Sequence, residues 1–460
     1  MAINSKALAL WLGPLAALLL ALLMEGYGWQ SEACFAAAIT MLCAVWWIFE
    51  PIPIPATSLI PLGGLPLLGV LDGEAIASAY GSPIILLLVG GAMMSKAMEK
   101  SGAHRRIALL MIHAFGTHSR RRLVFGFMSA AAFLSMWISN TATTLMMIPV
   151  AMAVLERVQD RALTVALLLG IAYGASIGGL ATPIGTPPNL IFLSVYKEFT
   201  GNEITFLEWM ATGLPVVVVF LPLAALWLTR RLQAGEALQV ERLGPTSVAE
   251  KRVLLVFALV IVAWMTLKNP LGGWAGWLAL PYANYAAVAF LAVVVMFVCP
   301  DGQGGRLLDW PAANSIHWGV MILFAGGIAI AKAFMATGIS DALGQQLTTL
   351  SQLPVYLLIL VICLFVTFLT EITSNTATTT LLMPILAAAG IAAGLEPALL
   401  MIPAALSASC AFMLPVATAP NAIVIASEAV KVKEMAREGL ALNFLGALII
   451  SVLIYIGWGW

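Results

Sequence analysis

Four short polar clusters interrupt an otherwise apolar chain. Two of them read Ser139-Asn140-Thr141 and Ser374-Asn375-Thr376, and each is followed by Ala-Thr-Thr. The other two read Gly185-Thr186-Pro187-Pro188-Asn189 and Ala417-Thr418-Ala419-Pro420-Asn421. Serine and asparagine are favoured helix N-caps, so each member of the first pair opens a helix. Proline removes an amide donor and clashes with the preceding turn, so each member of the second pair breaks one. Unwound backbone frees carbonyls for a small hard cation, and the half-helix that restarts beyond it offers amides to an anion. No arginine or lysine lies within any of the four clusters. An anion bound there would need co-bound cations, because a carboxylate stranded in low dielectric is costly.

Other chemistries are poorly provided for. His104, His113, His118 and His317 pair with no cysteine or carboxylate at metal-ligand spacing, and the five cysteines (Cys34, Cys43, Cys299, Cys363, Cys410) form no C-x-x-C. That argues against a metal centre or a disulfide framework. A serine hydrolase built on Ser139 or Ser374 lacks a nearby histidine base. Of the 460 residues, 62% are hydrophobic and 10% charged, against about 45–50% and about 25% in soluble domains. A soluble enzyme, a nucleic-acid binder and a disordered scaffold are excluded. The 22 basic and 22 acidic residues cancel, so no bulk charge points to nucleic acid. The expectation is an all-α polytopic protein of the lipid bilayer.

At about 20 residues per crossing, hydropathy places helices near 7–24, 31–49, 53–71, 82–112, 162–196, 206–229, 252–268, 282–299, 314–338, 397–429 and 439–459. The first is read as a retained span, not a removed signal peptide. Two further segments, about 122–156 and 353–392, are near twice that length, with a Ser-Asn-Thr cluster midway. Each fits a re-entrant hairpin, which membranes tolerate only where protein or a water-filled cavity surrounds the broken backbone. With eleven crossings, two hairpins and a cytoplasmic N-terminus, the basic residues gather on one side. They include Lys96, Lys100, Arg105, Arg106, Arg120, Arg157, Arg161, Arg230, Arg242 and Lys431, while only Lys197, Lys268 and Lys332 fall on the other. That bias is what orientation requires.

The chain also repeats itself. GGAMMSKAMEKSG at 90–102 matches GGIAIAKAFMATG at 326–338, residues 139–149 match 374–384, and PIGTPPN at 183–189 matches PVATAPN at 415–421, in the same order and at nearly one offset. The expected division is a first helix over 1–25, one repeat over 26–230, a cytoplasmic linker over 231–251 and a second repeat over 252–460. Each repeat holds five crossings and a hairpin; five is odd, so the repeats are inverted. Inverted repeats with interrupted helices at matching positions mark a secondary transporter. Both tips and both breaks then flank one midplane cavity.

Glu371 stands three residues before Ser374, where the first repeat has Met136. It reads either as a cation or proton site or as a structural carboxylate capped by nearby donors. Lys96 and Lys332 are repeat equivalents expected to snorkel to opposite interfaces.

The paired Ser-Asn-Thr tips and proline breaks resemble the divalent anion:sodium symporter family, the di- and tricarboxylate transporters. Residues 409–424 fit that family's signature, S-x-x-F-x-x-P-aliphatic-small-x-x-x-N-x-aliphatic-V, and EPIPIPATSLIPL at 50–62 is similar too. The likeness runs from about residue 30 to the end. It implies at least two sodium ions, one at Ser135, Ser139, Asn140 and Gly185 and one at Thr370, Thr373, Asn375 and Ala417. It implies that the two carboxylates of the substrate meet Ser139, Asn140, Thr141 and Ser374, Asn375, Thr376, with Thr186, Pro187, Thr418 and Ala419 lining the remainder. Thr418-Ala419-Pro420 departs from the commoner Thr-Pro-Pro, which makes that wall smaller. The function implied is sodium-coupled import of C4-dicarboxylates such as succinate, fumarate or malate across the cell (inner) membrane. A homodimer is implied as well, its transport domain sliding elevator-like past a fixed scaffold. A sodium-independent exchanger or a proton-coupled carrier using Glu371 is the alternative.

Overall fold

The computed structural model describes residues 5–116, 119–156, 158, 160–233, 240–241, 243–342 and 354–458. His118, Arg157 and Arg242 lie outside them.

In lipid every backbone polar group must be satisfied internally, which favours helices. Among the described residues no strand occurs, and the single β-bridge joins Pro300 and Arg306. Among the described residues eight helical stretches are long and apolar enough to cross a membrane: Lys6–Gly26, Ser31–Phe49, Gly73–Ser101, Arg161–Ala181, Phe206–Thr229, Trp318–Ala336, Asn375–Ala392 and Val432–Trp458; the third joins two helices, Gly73–Tyr80 and Pro83–Ser101. Tyr285–Val298, Val355–Thr370 and Ala398–Ala408 are apolar but shorter. Two expected spans are corrected. The one over 53–71 is two short helices, Ile54–Thr57 and Ile60–Leu67, since Pro53, Pro55, Pro61 and Pro66 deny it a continuous hydrogen-bond ladder. The one over 82–112 stops at Gly102, whose φ of 75° ends the helix Pro83–Ser101; Ala103–Phe115 is a separate helix.

Ion pairs sort the helix ends into two sets. In the first, Lys100 meets Asp309 at 2.6 Å, Arg105 meets Glu241 at 2.6 Å, Arg106 meets Glu250 at 3.0 Å and Arg230 meets Glu438 at 2.7 Å; Arg120–Asp160 and Arg161–Glu434 belong with them. In the second, Glu203 takes Lys268 at 2.8 Å and Lys197 at 3.5 Å, Lys332 meets Glu198 at 3.0 Å, and the Tyr196 hydroxyl donates to Glu396 at 2.8 Å. Burial alone would raise the Glu203 carboxyl, but the two ammonium groups hold it below the ordinary carboxylate range.

These sets fix where the paired arms begin and end. Arg120 opens the helix Arg120–Ser135, and Asp160 follows its partner Asn140–Leu155, so the Arg120–Asp160 pair draws both ends together. Tyr356, at the start of Val355–Thr370, packs edge-on against Tyr455 with ring centroids 5.6 Å apart. Glu396, beyond Asn375–Ala392, meets Tyr196, so the second pair of arms begins and ends at the opposite set.

Lipid tails are as apolar as leucine, so helices associate in membranes by close packing of small residues. The helix Arg161–Gly178 does this against Arg120–Ser135 through Gly170, Gly174 and Gly178. A Cβ on Gly174 would lie 2.7 Å from the Met128 carbonyl oxygen, and one on Gly178 would lie 2.1 Å from that of Ala132.

Candidate functional site

At the first tip, Ser139 caps Asn140–Leu155 by accepting the Ala142 amide at 3.2 Å. Behind it the Ser135 hydroxyl donates to Asn140 Oδ1. At the second tip, Ser374 holds the N-cap position of Asn375–Ala392 without a side-chain cap bond. The Thr370 hydroxyl lies 2.7 Å from Asn375 Oδ1 and 3.0 Å from the Ala408 carbonyl. In both tips a buried hydroxyl five residues upstream thus meets the oxygen of the asparagine.

Each break is an unwound loop between two helices. Arg161–Gly178 continues as a 3-10 turn over Gly179–Ala181, and a new helix, Pro187–Thr200, starts after Thr186. At the second break Ala398–Ala408 ends, and Ala419–Ala426 starts after Thr418, which accepts the Asn421 amide at 3.3 Å. The closing asparagines brace the loops alike. Asn189 Nδ2 donates to the carbonyls of Gly179 at 3.0 Å and Thr182 at 2.8 Å; Asn421 Nδ2 donates to those of Ala411 and Leu414, each at 3.0 Å. A Cβ on Gly179 would sit 3.0 Å from Asn140 Oδ1 and 3.1 Å from the Gly185 carbonyl oxygen. Tip oxygen and break carbonyl therefore converge where a side chain is missing.

The two halves meet around one cavity of about 760 Å³. It is lined by Ser139, Asn140 and Thr141, by Ser374, Asn375 and Thr376, and by Thr186, Pro187, Thr418 and Ala419. All ten residues expected to meet substrate are thus brought together. Of the expected sodium ligands, Ser139, Asn140, Gly185, Asn375 and Ala417 also line it. Ser135, Thr370 and Thr373 are not on that wall. Ser135 and Thr370 are buried behind the asparagines, and the Thr373 hydroxyl is engaged with the Leu369 carbonyl at 2.8 Å and with Thr378. The Thr186 and Ser409 hydroxyls, 3.2 Å apart, link the two breaks directly. The donor set is hydroxyl, amide and carbonyl oxygen, which suits a hard monovalent cation better than zinc. Among the described residues no cluster of three His, Cys, Asp or Glu could hold a metal.

Glu371 takes the structural role of its two readings. It accepts the amides of Phe412 at 2.7 Å, Met413 at 2.9 Å and Leu414 at 2.9 Å, and Asn443 Nδ2 at 2.7 Å. Four N–H donors and no base partner are what an acceptor-only carboxylate requires. Lys96 and Lys332 each reach a carboxylate: Lys96 pairs with Glu99 at 2.7 Å and Lys332 with Glu198 at 3.0 Å.

Sequence reasoning missed several supports of the breaks. Trp209 Nε1 donates to the Leu180 carbonyl at 3.1 Å, and the Tyr173 hydroxyl donates to the Phe412 carbonyl at 2.7 Å. Gly213 and Gly439 let those same two carbonyls approach: an added Cβ would lie 2.3 Å and 2.1 Å from them. Leu180 and Phe412 share the offset of the proline motifs, which was the available signal for their helices.

Comparison with known proteins places this geometry in context. Residues 44–400 match the family described as citrate transporter (CitMHS). The sodium-dependent dicarboxylate transporter SdcS of Staphylococcus saprophyticus is 39% identical over 98% of this chain and 91% of its own length. SdcS of Staphylococcus aureus is 39% identical over the same shares. Among solved structures, the YdaH transporter of Alcanivorax borkumensis aligns with a TM-score of 0.59 at 15% identity, covering 92% of this chain and 99% of that one. MtrF of Neisseria gonorrhoeae aligns at 0.58 and 13%, covering 92% and 94%. At those identities the two structures bear on fold alone.

Proposed function

The chain belongs to the citrate transporter (CitMHS) family of divalent anion:sodium symporters, and from that premise we propose that it imports C4-dicarboxylates such as succinate, fumarate or malate with sodium. One observation carries the reading. A single cavity takes its walls from both tips and both breaks, and those walls offer oxygens, amides and hydroxyls without a cationic side chain among the four motifs. A dianion in such a place needs positive charge from elsewhere, and sodium supplies it. The two SdcS relatives, sodium-dependent dicarboxylate transporters, agree with this chemistry.

Sodium binds first and sets the tips; the dianion then completes the site. One ion is assigned to Ser135, Ser139, Asn140 and Gly185, where the convergence at Gly179 supports it. The second is assigned to Thr370, Thr373, Asn375 and Ala417. Transporting more than two sodium ions per dianion moves positive charge inward and gains about 2.3 kcal/mol per surplus charge per 100 mV of inside-negative potential.

The proposed topology is eleven crossings and two re-entrant hairpins in two inverted repeats of a multi-pass protein of the cell (inner) membrane, with the arginine-rich face and the N-terminus cytoplasmic. The two sets of ion pairs, and the Arg120–Asp160 pair above all, support it. Alternating access by elevator-like sliding within a homodimer is proposed on family grounds. Against the proton-coupled alternative stands the engagement of the Glu371 carboxylate by four N–H donors.

Uptake of labelled succinate into proteoliposomes, in sodium and in choline, tests the reading. Sodium-driven uptake competed by fumarate and malate is expected, and equal uptake in choline would overturn it. Asn140→Ala and Asn375→Ala should each abolish sodium-dependent uptake while the protein stays folded. Wild-type transport in both would remove the site assignment.

A further inference from the structure

The site cavity does not end at the motifs. Its wall continues through Ser95, Lys96, Glu99 and His104 on one side and Ile316 and His317 on the other. Lys96 and Glu99 are the only fully charged side chains among its lining residues. They form a half-buried ion pair at 2.7 Å, three residues apart on the helix Pro83–Ser101.

The depth of this pair follows from its neighbour. Lys100 lies one helical turn beyond Lys96 and belongs to the arginine-rich rim, where it donates to Asp309 at 2.6 Å and to the Arg306 carbonyl at 3.0 Å. One turn is about 5.4 Å, so Lys96 stands between the rim and the tips. The Glu198–Lys332 and Glu203–Lys268 pairs of the opposite face contribute nothing to the cavity wall. Among the lining residues the cavity therefore carries a cation only on the side of the arginine-rich face, and that cation is Lys96.

We propose that Lys96 is a transient docking point for the dicarboxylate in the vestibule between its site and the arginine-rich face, where an incoming carboxylate replaces Glu99 as the partner of the ammonium. This rests on the dicarboxylate reading above. Both side chains of the pair keep about a quarter of their surface exposed, 22% and 28%, so the displaced Glu99 carboxylate can turn to water while the ammonium exchanges one carboxylate partner for another. The imidazoles of His104 and His317 face the same space, and His104 is turned to the Met98 carbonyl at 2.9 Å. Glu99 is then a built-in competitor that keeps docking weak, so that the dianion is not trapped after leaving the sodium-bound site. The repeat equivalent of Lys96, Lys332, has Met335 where Lys96 has Glu99 and reaches instead to Glu198 on the helix Pro187–Thr200. The vestibule device thus belongs to one face.

The test compares faces. Labelled succinate transport with sodium is measured in membrane vesicles of both orientations for the unsubstituted protein, Lys96→Met, Lys96→Arg and Glu99→Gln. Lys96→Met is expected to raise the apparent Km about threefold to tenfold at the arginine-rich face and to leave it unchanged at the other. Glu99→Gln frees the ammonium and is expected to lower that Km. Lys96→Arg should retain the wild-type value, and added salt should compress all these differences. A lysine that merely holds the helix would give losses in the same direction for Lys96→Met and Glu99→Gln, on both faces, and either result would overturn the proposal. Absence of sodium-driven succinate transport in the unsubstituted protein would sink the dicarboxylate reading as well. Normal transport with no face-specific shift would sink the vestibule alone.

Discussion

The two broken helices do the same geometric task with different side chains. Both loops are braced by an asparagine, Asn189 or Asn421, that donates to two loop carbonyls. Both set one carbonyl, of Leu180 or Phe412, against a glycine of a long neighbouring helix. Past that point they diverge. The first loop begins with a 3-10 turn, Gly179–Ala181, and the Thr182 hydroxyl ties it to the Met136 carbonyl. The second has no such turn, so the successive amides of Phe412, Met413 and Leu414 point one way and form an anion-binding concavity, which Glu371 fills. A self-satisfied turn needs only a hydroxyl. An opened one needs a charge. The two breaks therefore share the positions of their main-chain oxygens while the support of those oxygens differs.

The largest break in this comparison comes from Glu371→Ala. It would leave the Met413, Leu414 and Asn443 amides without their acceptor and the Phe412 amide with only the longer bond to Asn443 Oδ1 at 3.3 Å, at a cost on the order of 3–5 kcal/mol. Sodium-dependent uptake should vanish, and thermal unfolding in detergent should fall clearly below that of the unsubstituted protein. Met136→Glu should not rescue it, because the first loop presents no row of free amides. Wild-type stability of Glu371→Ala would mean that the amides find other partners and that the two loops are equivalent after all.

Gly178→Ala probes the other half. An added methyl would fall 2.1 Å from the Ala132 carbonyl oxygen, and backbone on both sides cannot yield cheaply. Overpacking of that kind costs about 1–3 kcal/mol. Because it pushes the first break away from the first tip, sodium affinity should drop more than substrate affinity measured at saturating sodium. Equal loss in both would place the strain elsewhere.

How far such features were readable from the sequence depends on whether they repeat. The tips and the proline breaks recur at matched positions, so the duplication pointed to the four motifs around the cavity, and the family resemblance to the residues within them. Asn189 and Asn421 ended the same motifs, yet their bracing of carbonyls seven and ten residues back depends on how the loop folds over them. Glu371 was visible as an isolated acid in an apolar run, but its four donors come from residues 41 to 72 positions away in the chain. No periodicity carries such a contact. The spans over 53–71 and 82–112 were misjudged for a local reason: hydropathy sums apolar character and ignores the prolines and the Gly102 turn that cut the helices. The duplication pairs Lys96 with Lys332 but not their carboxylates: Glu99 is an i,i+3 neighbour of Lys96, whereas Glu198 reaches Lys332 only through tertiary structure.

Thr182→Val sharpens the comparison more gently. It deletes the hydroxyl that donates to the Met136 carbonyl while keeping shape, and a single neutral hydrogen bond is worth about 1 kcal/mol. Uptake should persist with a modest rise in the sodium concentration for half-maximal rate. A loss as large as that of Glu371→Ala would show that the first loop depends on one hydroxyl as heavily as the second does on a carboxylate.

The smallest effect on stability is expected where the second break is made to resemble the first. Pro187 and Ala419 each occupy the first position of the helix that restarts after a break, and both line the cavity. The amide at that position has no intrahelical partner, and proline's fixed φ suits it, so Ala419→Pro should change stability by less than about 0.5 kcal/mol. Its consequence is steric. The ring adds bulk to the wall beside Thr418 and removes one amide donor from the mouth of that half-helix, whereas the first break already lacks both the space and the donor. Succinate should still be carried, while bulkier acids that compete with it in the unsubstituted protein should do so less well. Competition measured against labelled succinate reads this directly. An unchanged competition profile would mean that substrate size is judged only on the tips, and that the difference between the two breaks concerns how they are held and not what they hold.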